Sequence, residues 1–328
     1  MKPTRRSACS TLLAATLLSI TSLAARAEPG YPNKPIRMIV PLGAGSAVDV
    51  AARIVAQKMS LNMGQSIVIE NIVGASGIVG TDKVAKSAPD GYTIGGFNDS
   101  IMTMVPALQP KLPWDMLRDF VPVSLVATIE WTLVAHPSAP FDSAAALIKA
   151  AKAAPGKVDY GSGGIGSPQH IAMALFASEA GIELNHVPYK GASDLATGLA
   201  GNQVPVAFQG LASVNPLVKG KRLKMVAVGT PRRMPNYPDV PTVTESGLPG
   251  FEFNSWFTIM APAGTAPDIV AKLNAEVVKA LSDPAVRDQL NAQGLTPRGS
   301  SADELGRATK AQLLKYAALI KKAGIKAE

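Results

Sequence analysis

Near the start of the chain lies the stretch that decides the fold, Ile36-Arg37-Met38-Ile39-Val40-Pro41-Leu42-Gly43-Ala44-Gly45-Ser46. Its first five residues are mostly apolar, as is typical of a buried strand. Its second half is a glycine-serine turn, and residues 47–63 then show helical periodicity, with Val50, Ile54 and Val55 on the apolar side. A strand, a turn and a helix in this order predict the opening unit of an α/β fold.

The same alternation of short apolar runs and helical stretches continues along the chain, which predicts an α/β fold with mostly parallel strands. The proline-rich residues 231–249 are incompatible with a regular helix. We expect further strands at residues 66–70, 92–97, 120–127, 133–135, 157–160, 185–189, 204–208, 223–228 and 253–261, and further helices at residues 81–87, 143–153, 168–180, 267–282, 284–293 and 302–323.

Two of these strands, around residues 121–128 and 223–229, separate a middle segment of about a hundred residues from the two outer parts. We therefore expect two lobes with a cleft between them, joined by two crossings of the chain. One lobe comprises residues 28–128 plus 229–328, and the other comprises residues 129–228.

The first 27 residues have the features of a signal peptide. Lys2, Arg5 and Arg6 precede an uncharged, mostly apolar run at residues 11–24, and Ala25-Arg26-Ala27 is a small-x-small cleavage site. The run is shorter than the roughly 20 residues that span a bilayer. Cleavage after Ala27 would place the protein in the periplasm.

Removing this segment changes what the composition implies. Lys plus Arg falls from 32 to 28 against 24 acidic residues, so the formal net charge drops from +8 to +4. A nucleic-acid-binding role is therefore not indicated. The single cysteine of the chain, Cys9, is also lost, which excludes disulfides, a cysteine nucleophile and thiolate metal sites in the mature protein.

Two glycine-serine loops are candidate anion sites, because each precedes a predicted helix whose first N–H groups have no partner within the helix. The second loop, residues 161–166, matches G-x-G-x-x-G, but the acidic residue that a dinucleotide site requires at the end of the next strand is missing. We expect no cofactor. The candidate residues of the two loops are Leu42, Gly43, Ala44, Gly45, Ser46, Asp49, Ser162, Gly163, Gly166 and Ser167.

Three further residues are candidates outside these loops. His170 lies three residues into the helix after the second loop, and Asn98 and Ser100 follow a predicted strand end. No metal-ligand spacing of histidines occurs, so no metal is expected. A hydrolase that uses Ser167 and His170 stays open as an alternative, because catalytic triads need not be sequential.

Eight motifs of the chain follow a familiar order. They are Tyr31 to Arg37 leading into Val40-Pro41, Asp49 to Arg53, Val73 to Gly77, Ala88 to Thr93, Tyr160 to His170, His186 to Gly191, Pro238 to Thr242 and Ala261 to Thr265. In these motifs the sequence resembles the substrate-binding proteins of tripartite tricarboxylate transporters, the Bug family, over essentially the whole mature chain.

This resemblance implies a two-lobed periplasmic-binding-protein fold of type II-like form, with two Rossmann-like lobes joined by two hinge strands. It also implies a monomeric receptor, without catalytic activity, that closes over a small carboxylic acid. The partner would be a transporter membrane component. The alternative is a sensory or regulatory binding protein without a transport role, whose partner would be a sensor ectodomain. Carried over by position, the ligand would contact both glycine-serine loops, with His170 beside them and Phe208 as a further contact.

The chain departs from the family pattern at several positions near the expected cleft. The first loop reads Ala44-Gly45-Ser46 where Pro-Gly-Gly is usual, and Val48 replaces a small hydroxyl residue. Gly198 and Gln209 stand where an Asp is frequent. The two missing acids favour a plain carboxylic acid over a ligand with an ammonium group.

Overall fold

The computed structural model describes residues 30–109 and 111–322. The predicted signal peptide and its cleavage site lie outside these residues. Strand β1 (Ile36–Val40) and helix α1 (Ala47–Met63) confirm the predicted opening unit. Helix α1 begins where the Ser46 hydroxyl accepts a hydrogen bond from the Asp49 N–H at 3.3 Å, and it ends at Gly64, whose φ of 66° suits a residue without a side chain.

A six-stranded sheet forms the larger part of the molecule, in the order β11-β4-β10-β3-β1-β2. The other strands of this sheet are β2 (Ile67–Asn71), β3 (Thr93–Asn98), β4 (Phe120–Ile129), β10 (Ser255–Pro262) and β11 (Leu295–Pro297). It is covered by α1 together with α2 (Ile78–Ala85), α3 (Val105–Leu108), α8 (Pro267–Leu281), α9 (Pro284–Ala292) and α10 (Ala302–Lys322).

The middle of the chain forms two smaller sheets. One has the order β8-β5-β9, and β6 pairs with β7 in the other. The strands are β5 (Trp131–Ala135), β6 (Asp159–Ser162), β7 (Asn185–Pro188), β8 (Val206–Gly210) and β9 (Lys224–Val228). The helices of this part are α4 (Ala144–Ala153), α5 (Pro168–Ala180), α6 (Ala192–Ala200) and α7 (Leu211–Lys219).

The prediction of mostly parallel strands was wrong. Among the strand ladders of residues 30–109 and 111–322, β1 with β2, β1 with β3 and β6 with β7 are parallel, and the other five are antiparallel. The difference has a topological cause. Strand β10 returns late in the chain and inserts between β3 and β4, and β5 lies between β8 and β9 with opposite direction.

The chain crosses between the two groups of sheets twice. The first crossing is short, since β4 ends at Ile129 and β5 starts at Trp131 with only Glu130 between them. The return runs through residues 229–254, which contain no helix or ladder strand and are held by the Gly229 N–H on the Trp131 carbonyl at 2.8 Å. Both crossings therefore meet at Trp131.

Candidate functional site

A cavity of about 400 Å³ lies between the six-stranded sheet and the smaller sheets. Its lining comes from the ends of β1 and β3 on one side and from the first turns of α5 and α6 on the other. Seven of the predicted site residues line it, namely Leu42, Gly43, Ser46, Asn98, Ser100, Gly163 and Ser167. The other seven, which are Ala44, Gly45, Asp49, Ser162, Gly166, His170 and Phe208, lie outside this lining.

Asp49 lies behind the first loop and holds its shape. Its carboxylate is 3% exposed and accepts hydrogen bonds from the Gly45 N–H at 2.9 Å, from Arg53 Nε at 3.0 Å and from Asn71 Nδ2 at 3.0 Å. Burial alone would raise the pKa of Asp49, but these bonds outweigh it and lower the pKa. Asn71 also donates to the Leu42 carbonyl at 2.9 Å, so the loop is fixed from behind.

Ser162 and Ser167 organise the second loop. The Ser167 hydroxyl caps α5 by accepting the His170 N–H at 3.3 Å. The Ser162 hydroxyl accepts the Gly164 N–H at 3.1 Å and is hydrogen-bonded to His186 Nε2 at 2.6 Å. Ser162 is fully buried, so its contribution is to the loop conformation.

His170 supports the same loop from inside the protein. Its Nδ1 accepts the Gly166 N–H at 3.2 Å, and its ring stacks on that of His186 with centroids 4.3 Å apart. Burial, together with the charge of His186, lowers the pKa of His170 to about 4. The imidazole is therefore neutral at physiological pH, with Nδ1 as the acceptor.

This geometry predicts a difference between two substitutions of His170. In His170→Phe the ring remains but the acceptor for Gly166 is lost, and we expect affinity for a bound carboxylate to fall roughly tenfold. In His170→Asn the amide oxygen can replace Nδ1, so affinity should stay within about twofold of the native value. Isothermal titration of both variants checks this, and equal losses in the two would show that the hydrogen bond is unimportant.

The same histidine predicts a pH dependence of stability. The unfolded chain binds a proton at His170 near its ordinary pKa of about 6.5, whereas the folded chain does so only near 4. Between these two pKa values the unfolded chain is protonated at His170 and the folded chain is not. The stability that the neutral His170 contributes is therefore fully present above about pH 6.5 and is lost as the pH falls to 4. Burial raises the pKa of Asp99 to about 6, so this group makes the free energy of unfolding change with pH in the opposite direction. The effect of His170 is therefore isolated by comparing native and His170→Asn proteins by denaturant unfolding at several pH values. A difference that stays constant across this range would contradict the assignment.

The first turn of α6 is a third donor segment, which sequence reasoning missed. Gly191 and Ala192 line the cavity, and a Cβ atom at Gly163 would lie 3.3 Å from the Ala192 nitrogen. The signal was present in Gly191-Ala-Ser-Asp194, since a glycine followed by an early acid is typical of a helix start.

The position of Phe208 differs from the expectation. Its ring is fully buried, stacks on Phe251 and packs edge-on against Phe176, so it belongs to the apolar core. Successive side chains of a strand point to opposite faces, so the neighbouring Gln209 lies on the other face of β8, where its partners Gln169 and Ala192 line the cavity. Gln209 donates to the Ala192 carbonyl at 3.0 Å and accepts a hydrogen bond from Gln169 at 3.2 Å.

Gly198 lies directly beneath Tyr189, which lines the cavity. A Cβ atom at position 198 would lie 2.6 Å from the Tyr189 ring, closer than real contacts allow. The glycine therefore permits the ring to pack on α6. At the two positions where the family often has an Asp, this chain therefore has other interactions. Gly198 allows contact with the Tyr189 ring, and Gln209 forms a neutral amide pair with Gln169.

Charged side chains are scarce in the cavity lining. Among the described residues the lining contains no acidic side chain, and its single charged residue, Lys190, is exposed. Five helices, α1, α2, α5, α6 and α7, begin at the lining. Because the positive ends of helix dipoles and unpaired N–H groups favour anions, the site suits a carboxylate without a buried cation.

Three serine hydroxyls bridge the two sides of the cavity. Each donates to a backbone carbonyl across it: Ser76 to Ile165 at 2.5 Å, Ser100 to Gly166 at 2.7 Å and Ser193 to Ala44 at 2.6 Å. The first two donors lie in the part of the chain that carries the six-stranded sheet, and the third lies in α6. We refer to these three bonds as the serine bridges.

The serine bridges predict a kinetic effect of Ser193→Ala. Ser193 does not line the cavity, so its loss should weaken closure and leave the ligand contacts intact. We expect the dissociation rate of a bound carboxylate to rise about threefold to tenfold, with little change in the association rate. Stopped-flow fluorescence measures both rates. Thr197→Ala is the control, because the Thr197 hydroxyl bonds within α6 to the Ser193 carbonyl; an equal effect there would rule out the bridge as the cause.

Neither a metal-ligating cluster nor a membrane-spanning helix occurs in residues 30–109 and 111–322. This part holds no group of three or more potential metal-ligating side chains, and none of its helices is both long and apolar enough to cross a membrane. Ser167 contacts the backbone N–H of His170, whereas the described hydrogen bond of the His170 ring is to Gly166. This arrangement lacks the hydroxyl–imidazole contact of an activated nucleophile.

Comparison with known proteins points to one family. The model described as tripartite tricarboxylate transporter family receptor matches residues 51–325. A UPF0065 protein from Pseudomonas sp. strain P51 is 37% identical over 312 residues, covering 94% of this chain and 93% of that protein. Protein BugT from Bordetella pertussis is 36% identical over 297 residues, covering 90% and 91% respectively.

Solved structures agree with this grouping and confirm the expected fold. An R. palustris protein solved with adipate superimposes with a TM-score of 0.88 at 33% identity, covering 90% of this chain and 99% of the other. MatC from Rhodopseudomonas palustris, solved with bound malate, gives a TM-score of 0.83 at 28% identity, covering 88% and 100%.

Proposed function

Because the chain belongs to the tripartite tricarboxylate transporter family of receptors, we propose that it captures a small carboxylate in the cavity and delivers it to a membrane transporter. The observation that carries the proposal is the donor set of the cavity. Helix starts and glycine-serine turns surround it, and no acidic side chain lines it in the part of the chain that the structure describes. The relatives solved with adipate and malate support a carboxylate as the ligand class.

The ligand would be bound by backbone N–H groups of the two glycine-serine loops and of α6, together with the hydroxyls of Ser46 and Ser167. Asp49, Ser162, Gly166 and His170 would act as positioning residues for those loops. A ligand with an ammonium group would find no carboxylate in the lining, which supports a plain carboxylic acid.

Binding would close two lobes, residues 28–128 plus 229–328 and residues 129–228, about the crossings near Glu130 and residues 229–254. The distribution of strands supports this division, since the six-stranded sheet uses residues up to Ile129 and again from Ser255. Closure would exclude water, and the serine bridges would hold the closed form. The receptor would act as a monomer and without catalysis.

The proposal places the mature protein in the periplasm after cleavage behind Ala27. There a transporter membrane component would recognise the closed form, and a sensor ectodomain is the alternative partner. The basic start, apolar run and small-residue cleavage site of the first 27 residues support export.

The test is a thermal-shift panel on protein lacking residues 1–27. The panel contains mono-, di- and tricarboxylates and aromatic acids. After each measurement the ligand is recovered and its molecular mass is determined by mass spectrometry. A carboxylate at a hundredfold excess over its Kd should stabilise the native state by about 2.7 kcal/mol and be recovered unaltered in stoichiometric amount. A chemically changed ligand would favour the hydrolase, and no stabilisation by any acid would favour a regulatory protein with an unused cleft.

A further inference from the structure

Two glutamine side chains connect the interior of the protein with the cavity. Gln209 is fully buried in β8, and its Nε2 donates to the Ala192 carbonyl at 3.0 Å. Gln169 lies in the first turn of α5, is 5% exposed and lines the cavity. Its Nε2 donates to Gln209 Oε1 at 3.2 Å. We refer to these two hydrogen bonds as the amide relay.

The amide relay fixes the orientation of the Gln169 amide. A backbone carbonyl only accepts hydrogen bonds, so the Gln209 amide must turn its nitrogen toward Ala192 and its oxygen toward Gln169. Gln169 must then use its own nitrogen to reach that oxygen, which directs its Oε1 away from Gln209. A rotation of either amide by half a turn would bring two donors or two acceptors together.

The outward oxygen of Gln169 is an open acceptor. Within residues 30–109 and 111–322 Gln169 Oε1 accepts no hydrogen bond, and protein atoms do not enclose it completely. A Cβ atom at Gly163 would lie 3.2 Å from this oxygen and 3.3 Å from the Ala192 nitrogen, and all three residues line the cavity. An acceptor and a backbone nitrogen therefore flank one point of the cavity surface.

This pair of atoms suits two different ligand groups. Ala192 is the first residue of α6, so its N–H has no acceptor within the helix and suits a carboxylate oxygen. Gln169 Oε1 requires a donor, and a carboxylate oxygen in its place would face another acceptor. An ammonium group would lie among the positive ends of helices, and no acidic side chain of the described residues lines the cavity. A hydroxyl group donates without carrying charge.

We propose that the ligand is a 2-hydroxy carboxylate, whose hydroxyl donates to Gln169 Oε1 while the adjacent carboxylate accepts from the Ala192 N–H. The two groups are neighbours in the ligand because both protein atoms lie within 3.3 Å of one point. The inference rests on the proposed function and narrows it from carboxylates in general to this class. Gln169 sets the specificity, and Gln209, which lies outside the lining, is its positioning residue.

Isothermal titration at pH 7.5 compares pairs of acids that differ in one hydroxyl group. The pairs are hexanoate with 2-hydroxyhexanoate, glutarate with 2-hydroxyglutarate, and propane-1,2,3-tricarboxylate with citrate. Both enantiomers of a chiral acid are measured, and the tighter one is used. In each pair that binds, we expect the hydroxy acid to bind about fivefold to tenfold more tightly. Glutamate, with an ammonium group in place of the hydroxyl, should bind more weakly than 2-hydroxyglutarate.

Variants of the two glutamines show whether the amide relay causes this preference. Gln169→Met keeps the length of the side chain and removes the acceptor, so the ratio of the two affinities should fall to about one. In Gln209→Met the Gln169 amide loses the partner that orients it, and the ratio should fall to about two. Thermal denaturation without ligand shows that both variants are folded. The ratio compares two ligands on one protein, so a merely structural role would not change it.

Gln312→Met is the matched control. Among the described residues Gln312 Oε1 is also unpartnered, but Gln312 lies in α10 outside the cavity lining, so the ratio should stay at its native value.

Three results would overturn the inference while the carboxylate receptor stands. They are a tightest ligand without a hydroxyl group among all acids tested, glutamate binding more tightly than 2-hydroxyglutarate, and a hydroxyl preference that survives in Gln169→Met. A ratio that is lost in Gln169→Met but unchanged in Gln209→Met would remove the positioning role of Gln209. Failure of every acid to bind would overturn both proposals.

Discussion

Gly163→Asp should reduce carboxylate affinity at least a hundredfold. A side chain at position 163 would start 3.2 Å from Gln169 Oε1 and 3.3 Å from the Ala192 nitrogen, at the first turn of α6. A carboxylate there would occupy the donors proposed for the ligand and repel its charge. At about 5 Å and an effective dielectric constant of about 20, the repulsion is about 3 kcal/mol, which corresponds to roughly a hundredfold change.

Gly163→Asn is the control for this substitution, because it has nearly the same size and no charge. Its Cβ contacts are equally tight, so a modest loss of about tenfold is expected from crowding alone. Isothermal titration with the tightest acid of the panel compares the two variants, and thermal denaturation without ligand shows that both are folded. If Asp and Asn variants bound equally, the second loop would not belong to the anion site.

Gly80→Ala should destabilise the protein by about 1–3 kcal/mol. Gly80 lies within α2, and a Cβ atom there would lie 2.5 Å from the Ile72 carbonyl oxygen and 3.0 Å from Pro41 Cα. Both are backbone atoms, so α2 would have to move away from the end of β1. Pro41 and Gly77 line the cavity, and carboxylate affinity should fall with stability.

Gly306→Ala is the control, and it should increase the free energy of unfolding, whereas Gly80→Ala should decrease it. Gly306 lies within α10, and a Cβ atom there would meet only Pro122 Cγ at an ordinary 3.6 Å. Replacing a helical glycine by alanine without steric conflict should stabilise the protein by about 0.5–1 kcal/mol. Chemical denaturation of both variants measures the two effects. A Gly80→Ala protein as stable as the native one would show that α2 is not fixed against Pro41.

The parts of the fold that depend on local pattern were predictable. Strand β1, its glycine-serine turn and α1 follow from neighbouring residues, and the Ser46 and Ser167 caps follow from residue type and position. Helices α6 and α7 are missing from the helices expected on periodicity, and each contains a residue with low helix propensity, Gly198 and Pro216. In the structure, Gly198 makes room for Tyr189, and α7 tolerates its internal proline.

Features that depend on distant parts of the chain were not predictable. The antiparallel insertion of β10 pairs Ser255 with Ile129, more than a hundred residues away. Half of the predicted site residues line the cavity, and most of those lie in loops. The sequence did not show that His170 lies behind its loop, because that depends on packing against His186. The burial of Phe208 in the core was equally hard to foresee, because a shift of one residue in a strand reverses the face on which a side chain lies.

The serine bridges bear on how such a receptor could diversify. All three acceptors are backbone carbonyls, at Ala44, Ile165 and Gly166, so they persist whatever side chain stands at those positions. Mutations in the loops could therefore alter which acid is preferred without removing the acceptors that hold the two sides together. Ligand preference and closure would be separable under selection, and new specificities could arise in a protein that still closes.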